Sequence, residues 1–210
     1  MNGRWANVWL VLLIASLGGC ASMSSDECAN SDWTAIGYED GSRGYTSDRF
    51  TNRRKACAKH GITADFQTYQ DGRHRGLVEF CRPSRGFTVG ANGGQYNGVC
   101  AADLEPEFLE AYHVGYQLYN LRAKVNNAST RIYQHERELK NVKKDLRLMG
   151  VALISAETTT EERVLLLADI KDLSERSGQV EAKIQGLVAE RARLQTELQH
   201  YEATVAAYGY

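Results

Sequence analysis

The sequence predicts a mainly α-helical protein, with a small disulfide-stabilised helical head followed by a long antiparallel coiled-coil hairpin. Two observations support this fold class. Proline is scarce, with two residues in 210 and none after Pro106, so nothing interrupts long helices in the second half of the chain. Apolar residues in that half recur at alternating steps of three and four, which is the spacing of paired amphipathic helices.

Residues 1–19 have the features of a secretory signal peptide. The apolar run from Val8 to Ile14 is too short to span a bilayer. The residues just before Cys20 are small and follow Leu17, and this segment resembles the bacterial lipoprotein box. The resemblance implies cleavage before Cys20 and acylation of that cysteine, which anchors a protein to a membrane without crossing it. Residue 21 is Ala rather than Asp, which implies the periplasmic face of the outer membrane.

Four cysteines follow Cys20, and all of them lie before Pro106. An even number in an exported chain predicts two disulfides, for which three connectivities are possible. We favour pairing of sequence neighbours, because the second bridge then closes a glycine-rich stretch. A zinc site would need more closely spaced ligands, so the sequence indicates neither a metal nor a cofactor. The four cysteines are Cys28, Cys57, Cys81 and Cys100.

Residues 20–104 are predicted to form the compact helical head. Three short segments in or just after it place a tyrosine three residues before a glycine. Small residues four positions apart and an aromatic residue about two turns earlier would share one helix face, so that helices could pack with close backbones. The alternative is that each Asp-Gly pair is a turn, and the stretch from Arg85 to Gly98 is predicted to be a loop. The three segments are Tyr38–Gly41, Tyr69–Gly72 and Tyr112–Gly115.

Residues 105–210 are predicted to form two long amphipathic helices. A lone apolar stripe in water is unfavourable, so the stripes pair either within one chain or between two copies. Thr159 and Glu162 have the spacing of a capping box at the start of the second helix, and about 48 residues make that arm roughly 70 Å long. The first series is Leu118, Leu121, Val125, Ala128, Ile132, His135, Leu139, Val142, Leu146 and Met149; the second is Leu166, Ile170, Leu173, Ser177, Val180, Ile184, Leu187, Arg191, Leu194, Leu198, Tyr201, Val205 and Tyr208.

Three polar residues, His135, Ser177 and Arg191, occupy positions of this seam. Buried polar residues can fix the register of paired helices at a cost in stability, and a proton switch at His135 is the alternative. Gly178 and Gly186 each weaken a helix by about 1 kcal/mol relative to alanine. They indicate either a weak point in the arm or the close approach of another backbone.

The run from Cys28 to Tyr119 resembles a family of short bacterial lipoproteins known only as a domain of unknown function. The similarity rests on the spacing of cysteines, glycines and aromatic residues, and it covers less than half of the chain. It implies no reaction, cofactor or catalytic residue. The residues that carry it are Asp32, Trp33, Gly37, Asp40, Gly41, Cys57, His60, Gly61, Tyr69, Gly72, Gly76, Leu77, Cys81, Gly86, Tyr96, Gly98, Val99, Cys100, Phe108, Tyr112 and Gly115.

The sequence contains no motif that names a reaction. A formal net charge of −1 gives no basic surface that would attract a nucleic acid, so we predict no nucleic acid partner. The sequence contains neither a phosphate-binding loop nor a nucleophile elbow. Histidines and carboxylates in and near the head could act as acids and bases, but such residues are usually polar surface groups. We therefore predict that the protein is not an enzyme. The candidates are His60, His74, His113, Asp40, Asp65 and Asp71.

Together these features predict a structural or adaptor lipoprotein. In this hypothesis the head lies near the outer membrane, and the hairpin engages a protein partner or a second copy of the chain. The alternative is a head that binds envelope glycan, with aromatic stacking near Tyr96 and Asn97 and the hairpin as a spacer. A hydrolase that uses His60 or His74 is a third hypothesis, which the lack of a catalytic motif disfavours.

Overall fold

The structure is a computed structural model that describes residues 23–209. Within this range the chain forms seven α-helices and no strand, so the predicted fold class is confirmed. The predicted signal peptide and Cys20 lie outside the described residues. None of the helices within this range is both long enough and apolar enough to cross a membrane. The helices are α1 (Ser25–Ala29), α2 (Trp33–Ser42), α3 (Asp48–Ala58), α4 (Phe66–Phe80), α5 (Pro83–Ala91), α6 (Glu105–Ile154) and α7 (Thr160–Ala207).

The chain packs as two compact units that are interleaved in sequence. The first unit extends to Arg82 and also includes Tyr96–Glu105, whereas the second unit comprises Pro83–Gln95 and the chain from Pro106 onward. Helices α1 to α4 therefore belong to the first unit. Helix α5 belongs to the second unit, together with α7 and nearly all of α6. The backbone passes between the units three times.

An aromatic cluster forms the core of the first unit. The ring of Phe50 in α3 lies 5.7 Å from that of Trp33 and 4.8 Å from that of Tyr69, measured between centroids. Cys28 and Cys57, which form a disulfide, pack against the same cluster. Four short helices thus share one core whose largest members are aromatic.

Glycines bring α2 and α4 of the first unit into backbone contact. A Cβ atom added at Gly37 would lie 2.1 Å from the carbonyl oxygen of Tyr69, and one added at Gly76 would lie 2.2 Å from that of Tyr38. No side chain fits in these spaces. The tyrosine-glycine segments that the sequence singled out all lie on helices, so the helical interpretation is confirmed and the turn interpretation is wrong.

A second helix pair, α5 and the start of α6, has the same close packing in the second unit. A Cβ atom at Gly90 would lie 2.1 Å from the carbonyl oxygen of Tyr112, and one at Gly115 would lie 2.2 Å from that of Phe87. The predicted loop from Arg85 to Gly98 is therefore wrong for its first half. Contact with the backbone of α6 stabilises a helix that two internal glycines disfavour locally.

The two pairs repeat one spacing of glycines. The spacing of Gly37, Gly41 and Gly44 recurs at Gly86, Gly90 and Gly93. The last glycine of each set follows its helix with a left-handed φ, +71° at Gly44 and +69° at Gly93, and packs under an aromatic ring. The rings belong to Phe80 and Tyr119. The internal repeat is thus a pair of helices, present once in each unit.

Helices α6 and α7 form the predicted hairpin, with lengths of 50 and 48 residues. The capping box is confirmed, since the Glu162 N–H donates to Thr159 Oγ1 at 3.2 Å and the Thr159 N–H donates to Glu162 Oε2 at 2.8 Å. Every predicted seam residue from Leu118 to Val205 is buried or half-buried. Tyr208 is the exception at 78% exposure, because α7 ends before it.

Ion pairs across the seam follow the antiparallel register of the two arms. Lys143 Nζ lies 2.7 Å from Glu181 Oε1, near the middle of α7. Arg122 and Glu202 form a second pair at 2.8 Å, nearer the outer ends of the two helices. Exposed pairs of this kind add little stability, but they show that the apolar stripes are paired within one chain.

Candidate functional site

The four cysteines that follow Cys20 form two disulfides in the first unit. Cys28 is joined to Cys57 and Cys81 to Cys100, with Cα atoms 5.5 Å and 5.7 Å apart. This is the pairing of sequence neighbours that the sequence analysis favoured. The second bridge closes the stretch that contains α5. The two ends of this stretch are therefore held together in the first unit.

Asp40, a predicted acid or base, lies in the core of the first unit and is only 2% exposed. Tyr69 Oη donates a hydrogen bond of 2.9 Å to its Oδ2 atom, and the Arg53 guanidinium donates to both carboxylate oxygens. Burial, together with the hydrogen bond to Asp40, raises the pKa of Tyr69 to about 12. A carboxylate held between two partners in the core is suited to a structural role rather than to proton transfer with a substrate.

The three candidate histidines are separately placed on exposed surfaces. His60 Nε2 lies 3.2 Å from the Met23 carbonyl oxygen. His113 packs its ring edge-on against Tyr112, and His74 borders a small apolar cavity beside the Cys81–Cys100 bridge. Within residues 23–209, no group of three or more His, Cys, Asp or Glu side chains is arranged to hold a metal ion.

The remaining candidate carboxylates have local roles on α4. Asp65 precedes this helix and accepts hydrogen bonds from the Thr68 N–H at 3.0 Å and the Thr68 hydroxyl at 2.6 Å. These bonds hold the pKa of Asp65 below its usual value. Asp71 accepts a hydrogen bond from Gln67 one turn earlier. The structure thus uses Asp65 as a helix cap.

Tyr96, the candidate for sugar stacking, is half-buried and uses its hydroxyl inside the first unit. The hydroxyl accepts from the Cys100 N–H at 3.0 Å and donates to Glu105 Oε1 at 2.8 Å. Burial raises its pKa. Neighbouring Asn97 donates weakly to the Gly44 carbonyl at 3.5 Å. These contacts fix the loop beside the second disulfide, and they give no specific support to a glycan site.

The most exposed apolar surface of the second unit lies at the end of the hairpin where α6 and α7 connect. Six large aliphatic side chains there are between 54% and 79% exposed, although they lie within a span of 20 residues. These residues are concentrated at one end of the hairpin, and a concentration of exposed apolar side chains indicates an interaction surface. We call this group the tip patch: Leu148, Val151, Ile154, Val164, Leu165 and Leu167.

The backbone of the tip is held by two side chains. Arg163 of α7 donates to the carbonyl oxygens of Ser155 at 2.7 Å and Thr158 at 3.2 Å, and it also contacts that of Leu153. The Thr158 hydroxyl donates to the Ala152 carbonyl at 2.6 Å. These bonds satisfy carbonyl groups that the end of α6 leaves without helical partners. The tip patch is therefore displayed on an ordered connection.

A groove runs along one side of the tip between α6 and α7. Its volume is about 680 Å³. Its lining residues include Leu166 of the seam and Leu148 and Leu165 of the tip patch. Three carboxylates also line the groove. We call this feature the tip groove, and its acidic residues are Glu157, Glu162 and Asp169.

The tip patch was not predicted from the sequence, although the sequence contains a signal of it. The heptad pattern lapses between Met149 and Leu166, yet apolar residues remain frequent there at positions outside the seam. Apolar residues that a seam does not need are candidates for another interface. The lapse itself was therefore the signal.

Residues 32–117 match the profile of a family described as "Protein of unknown function (DUF2799)". The match covers less than half of the chain. The matched segment starts at Asp32, which caps α2 by accepting a hydrogen bond from the Ala35 N–H. It ends inside α6 and includes both glycine-packed helix pairs, but not the tip patch. No curated protein and no solved structure matches the chain.

Proposed function

We propose that this protein is a membrane-anchored periplasmic lipoprotein with a structural or adaptor role, and that its hairpin engages a protein partner. The observation that carries the proposal is the tip patch. Its side chains lie outside the seam of the hairpin, so folding of the chain leaves them in water. Burial of apolar surface is favourable by roughly 25 cal/mol of free energy per Å². Binding of a partner protein would bury these side chains.

The pairing of the hairpin arms also supports an adaptor role. The stripes of α6 and α7 are buried against each other, and the ion pair between Arg176 and Glu138 at 2.6 Å bridges the arms beside the seam. A hairpin with a satisfied seam needs no second copy to be stable. Its outer faces and its tip remain available for a different protein.

The proposed location, anchored to a membrane in the periplasm, rests on the sequence before the described residues and on the disulfides. The box ending at Cys20 implies acylation, and disulfides persist in oxidising compartments such as the periplasm. A non-enzymatic role is proposed for two reasons. The candidate histidines are separately placed on exposed surfaces, and Asp40 is buried between Tyr69 and Arg53.

In-cell photo-crosslinking tests the adaptor role. A photoreactive residue is placed at Arg137 of α6 or at Glu190 of α7, both of which are exposed and outside the seam. We expect a discrete crosslinked product that contains a partner protein. Uncrosslinked monomer at both positions and at the tip would contradict the proposal.

Metabolic labelling tests the membrane anchor. Cells are grown with radioactive palmitate, and the protein is compared with its Cys20→Ser variant. We expect label in the unaltered protein and none in the variant, because the thiol is the site of acylation. Equal labelling of both proteins, or of neither, would remove the lipoprotein assignment.

A further inference from the structure

The tip groove is lined by both aliphatic and acidic side chains. Leu148 and Leu165 beside it are 58% and 67% exposed, so the groove presents aliphatic surface to solvent. The residues Glu157, Glu162 and Asp169 are the charged residues among those that line it within the described chain, and all three are acidic. An occupant of the groove therefore needs apolar surface to cover the aliphatic side chains and positive charge to pair with the carboxylates.

The acidic character of the groove is fixed by the local fold. Glu162 accepts hydrogen bonds from the Thr159 N–H and hydroxyl, at 2.8 Å and 3.0 Å, and these bonds hold its pKa below the usual value. The adjacent cation, Arg163, donates to backbone carbonyls of the hairpin connection instead of lining the groove. The negative charge of Glu162 is thus retained at the groove.

This charge disfavours a second copy of the chain as the occupant. A two-fold interface places the same patch of both copies face to face, so the three carboxylates of one groove would meet those of the other. Facing like charges is unfavourable. An anionic lipid surface is disfavoured for the same reason.

A helix is the partner element that packs best in a shallow groove between two helices. Two antiparallel helices present ridges between which a third helix packs, and helix-in-groove binding places apolar anchors of an amphipathic helix at positions i, i+3 or i+4, and i+7. On α7 the residues that line the groove run from Glu162 to Asp169. That length corresponds to about two turns of helix.

We propose that the tip groove binds an amphipathic α-helix of a partner protein, with aliphatic residues on the face that enters the groove and Lys or Arg residues along its margin. This inference rests on the proposed adaptor function and names the chemistry of its partner. The aliphatic residues cover Leu148 and Leu165, while the cations meet Glu157, Glu162 and Asp169.

Photo-crosslinking from inside and outside the groove tests the proposal. The photoreactive residue p-benzoylphenylalanine replaces Leu165, which lines the groove, or Leu167, which is exposed to a similar extent but does not line it. The full chain is used in cells, and the crosslinked segment is sequenced by mass spectrometry. We expect a product from position 165 whose crosslinked segment has aliphatic residues at helical spacing and an excess of Lys and Arg. The same product should be absent from position 167.

Charge-neutralising variants provide the second measurement. With the crosslinker at position 165, the double variant Glu157→Gln/Asp169→Asn should lower the yield of the product at least about threefold, because cation-carboxylate pairs set encounter and register. Glu161→Gln is the matched control, since Glu161 is exposed but does not line the groove, and its yield should be unchanged. Glu162 is left intact because it caps α7.

Several outcomes would overturn the proposal. These are a crosslinked segment with acidic or uncharged margins, a second copy of this chain, a lipid adduct, a yield that neutralisation does not change, or no product from position 165. Products from Arg137 or Glu190 without one from position 165 would refute the groove and leave the adaptor function standing. Monomer at all of these positions would refute both.

Discussion

Gly76 shows how little space separates the paired helices α2 and α4 of the first unit. Its missing side chain lets the Tyr38 carbonyl and the Ser42 N–H come within 2.2 Å and 2.6 Å of where a Cβ atom would lie. The groups it would meet are backbone atoms, which cannot rotate away as the end of a side chain can. Helix packing at this point therefore depends on a single hydrogen atom in place of a methyl group.

Gly76→Ala should lower the free energy of unfolding of the first unit by more than about 3 kcal/mol, because relief of the overlap requires α2 and α4 to separate. Chemical denaturation followed by circular dichroism measures the change. Gly178→Ala is the matched control on α7, where nothing lies within 4 Å of the added methyl group. It should increase stability by about 1 kcal/mol. A harmless Gly76→Ala would show that the helices are less closely packed than described.

Tyr69→Phe tests the buried contact with Asp40. The loss of a hydrogen bond to a charged group should cost about 2 kcal/mol near neutral pH. Because the folded pKa of Tyr69 is raised to about 12, its contribution is fully present below the unfolded pKa near 10 and is lost as the pH rises through about 12.

Absorbance at 295 nm, which follows tyrosinate formation, measures the same group directly. A late titration step near pH 12 is expected in the unaltered protein and should be missing from Tyr69→Phe. Tyr133→Phe serves as the control, because this ring is 59% exposed and its removal should leave the late step in place. A late step that survives in Tyr69→Phe would assign it to another tyrosine.

At the scale of whole elements, Arg163 of α7 makes most of the side-chain hydrogen bonds that hold the tip of the hairpin. Arg163 reaches back to the last carbonyl groups of α6, where its planar guanidinium can donate to several acceptors at once. The connection between the arms is therefore held by a charged residue rather than by an apolar cluster. This arrangement leaves the neighbouring aliphatic side chains exposed.

Arg163→Ala should lower stability by about 1 kcal/mol and speed amide hydrogen exchange in the last turn of α6, while exchange in the middle of both arms stays unchanged. Hydrogen exchange detected by mass spectrometry gives the comparison. Lys171→Ala removes an exposed cation of the same helix and should have no effect on the tip. Equal exchange in the two variants would contradict the role assigned to Arg163.

The sequence predicted the long helices well because their determinants are local and periodic. The capping pair Thr159 and Glu162 marked the start of α7, and regular apolar spacing marked the seam. Helix α5 was missed because its stability comes from α6, which lies farther along the chain, and because Gly86 and Gly90 are poor helix formers. Pro83 at its first position was the one local sign of a helix start.

In the candidate site, too, features with a local sequence pattern could be predicted and features that depend on distant residues could not. The seam could be predicted, since a residue's place in a repeat is visible in the sequence. The tip groove could not, because it requires Leu148 and Leu165 to meet across the connection while Asp169 lies beside them. Those residues come from two helices whose relative rotation only the structure gives. The burial of Asp40 was also hidden, because Arg53 and Tyr69 come from different helices.

At the scale of the molecule, disulfides and seam packing stabilise different units. Both bridges lie in the first unit, which has short helices, and the second unit relies on two helices of 50 and 48 residues. Small cores often require such crosslinks. Reduction should therefore affect the two units unequally.

The double variant Cys28→Ser/Cys57→Ser should destabilise the first unit by about 3 kcal/mol, because the unfolded chain gains the freedom of the opened loop. Hydrogen exchange should rise in α2 and α4, whereas exchange in the middle of α7 should stay as in the unaltered protein. Comparable loss of protection in α7 would show that the two units unfold as one.

The three passages of backbone between the units limit how this molecule can be divided. A protease that cuts only between Glu105 and Pro106 would leave α5 on the other product, still packed against α6. A gene segment beginning at that point would encode both long arms without the helix that covers Gly115. Transfer of the hairpin to a different head by a single recombination event would therefore expose a bare stretch of α6, and a functional exchange must carry α5 as well.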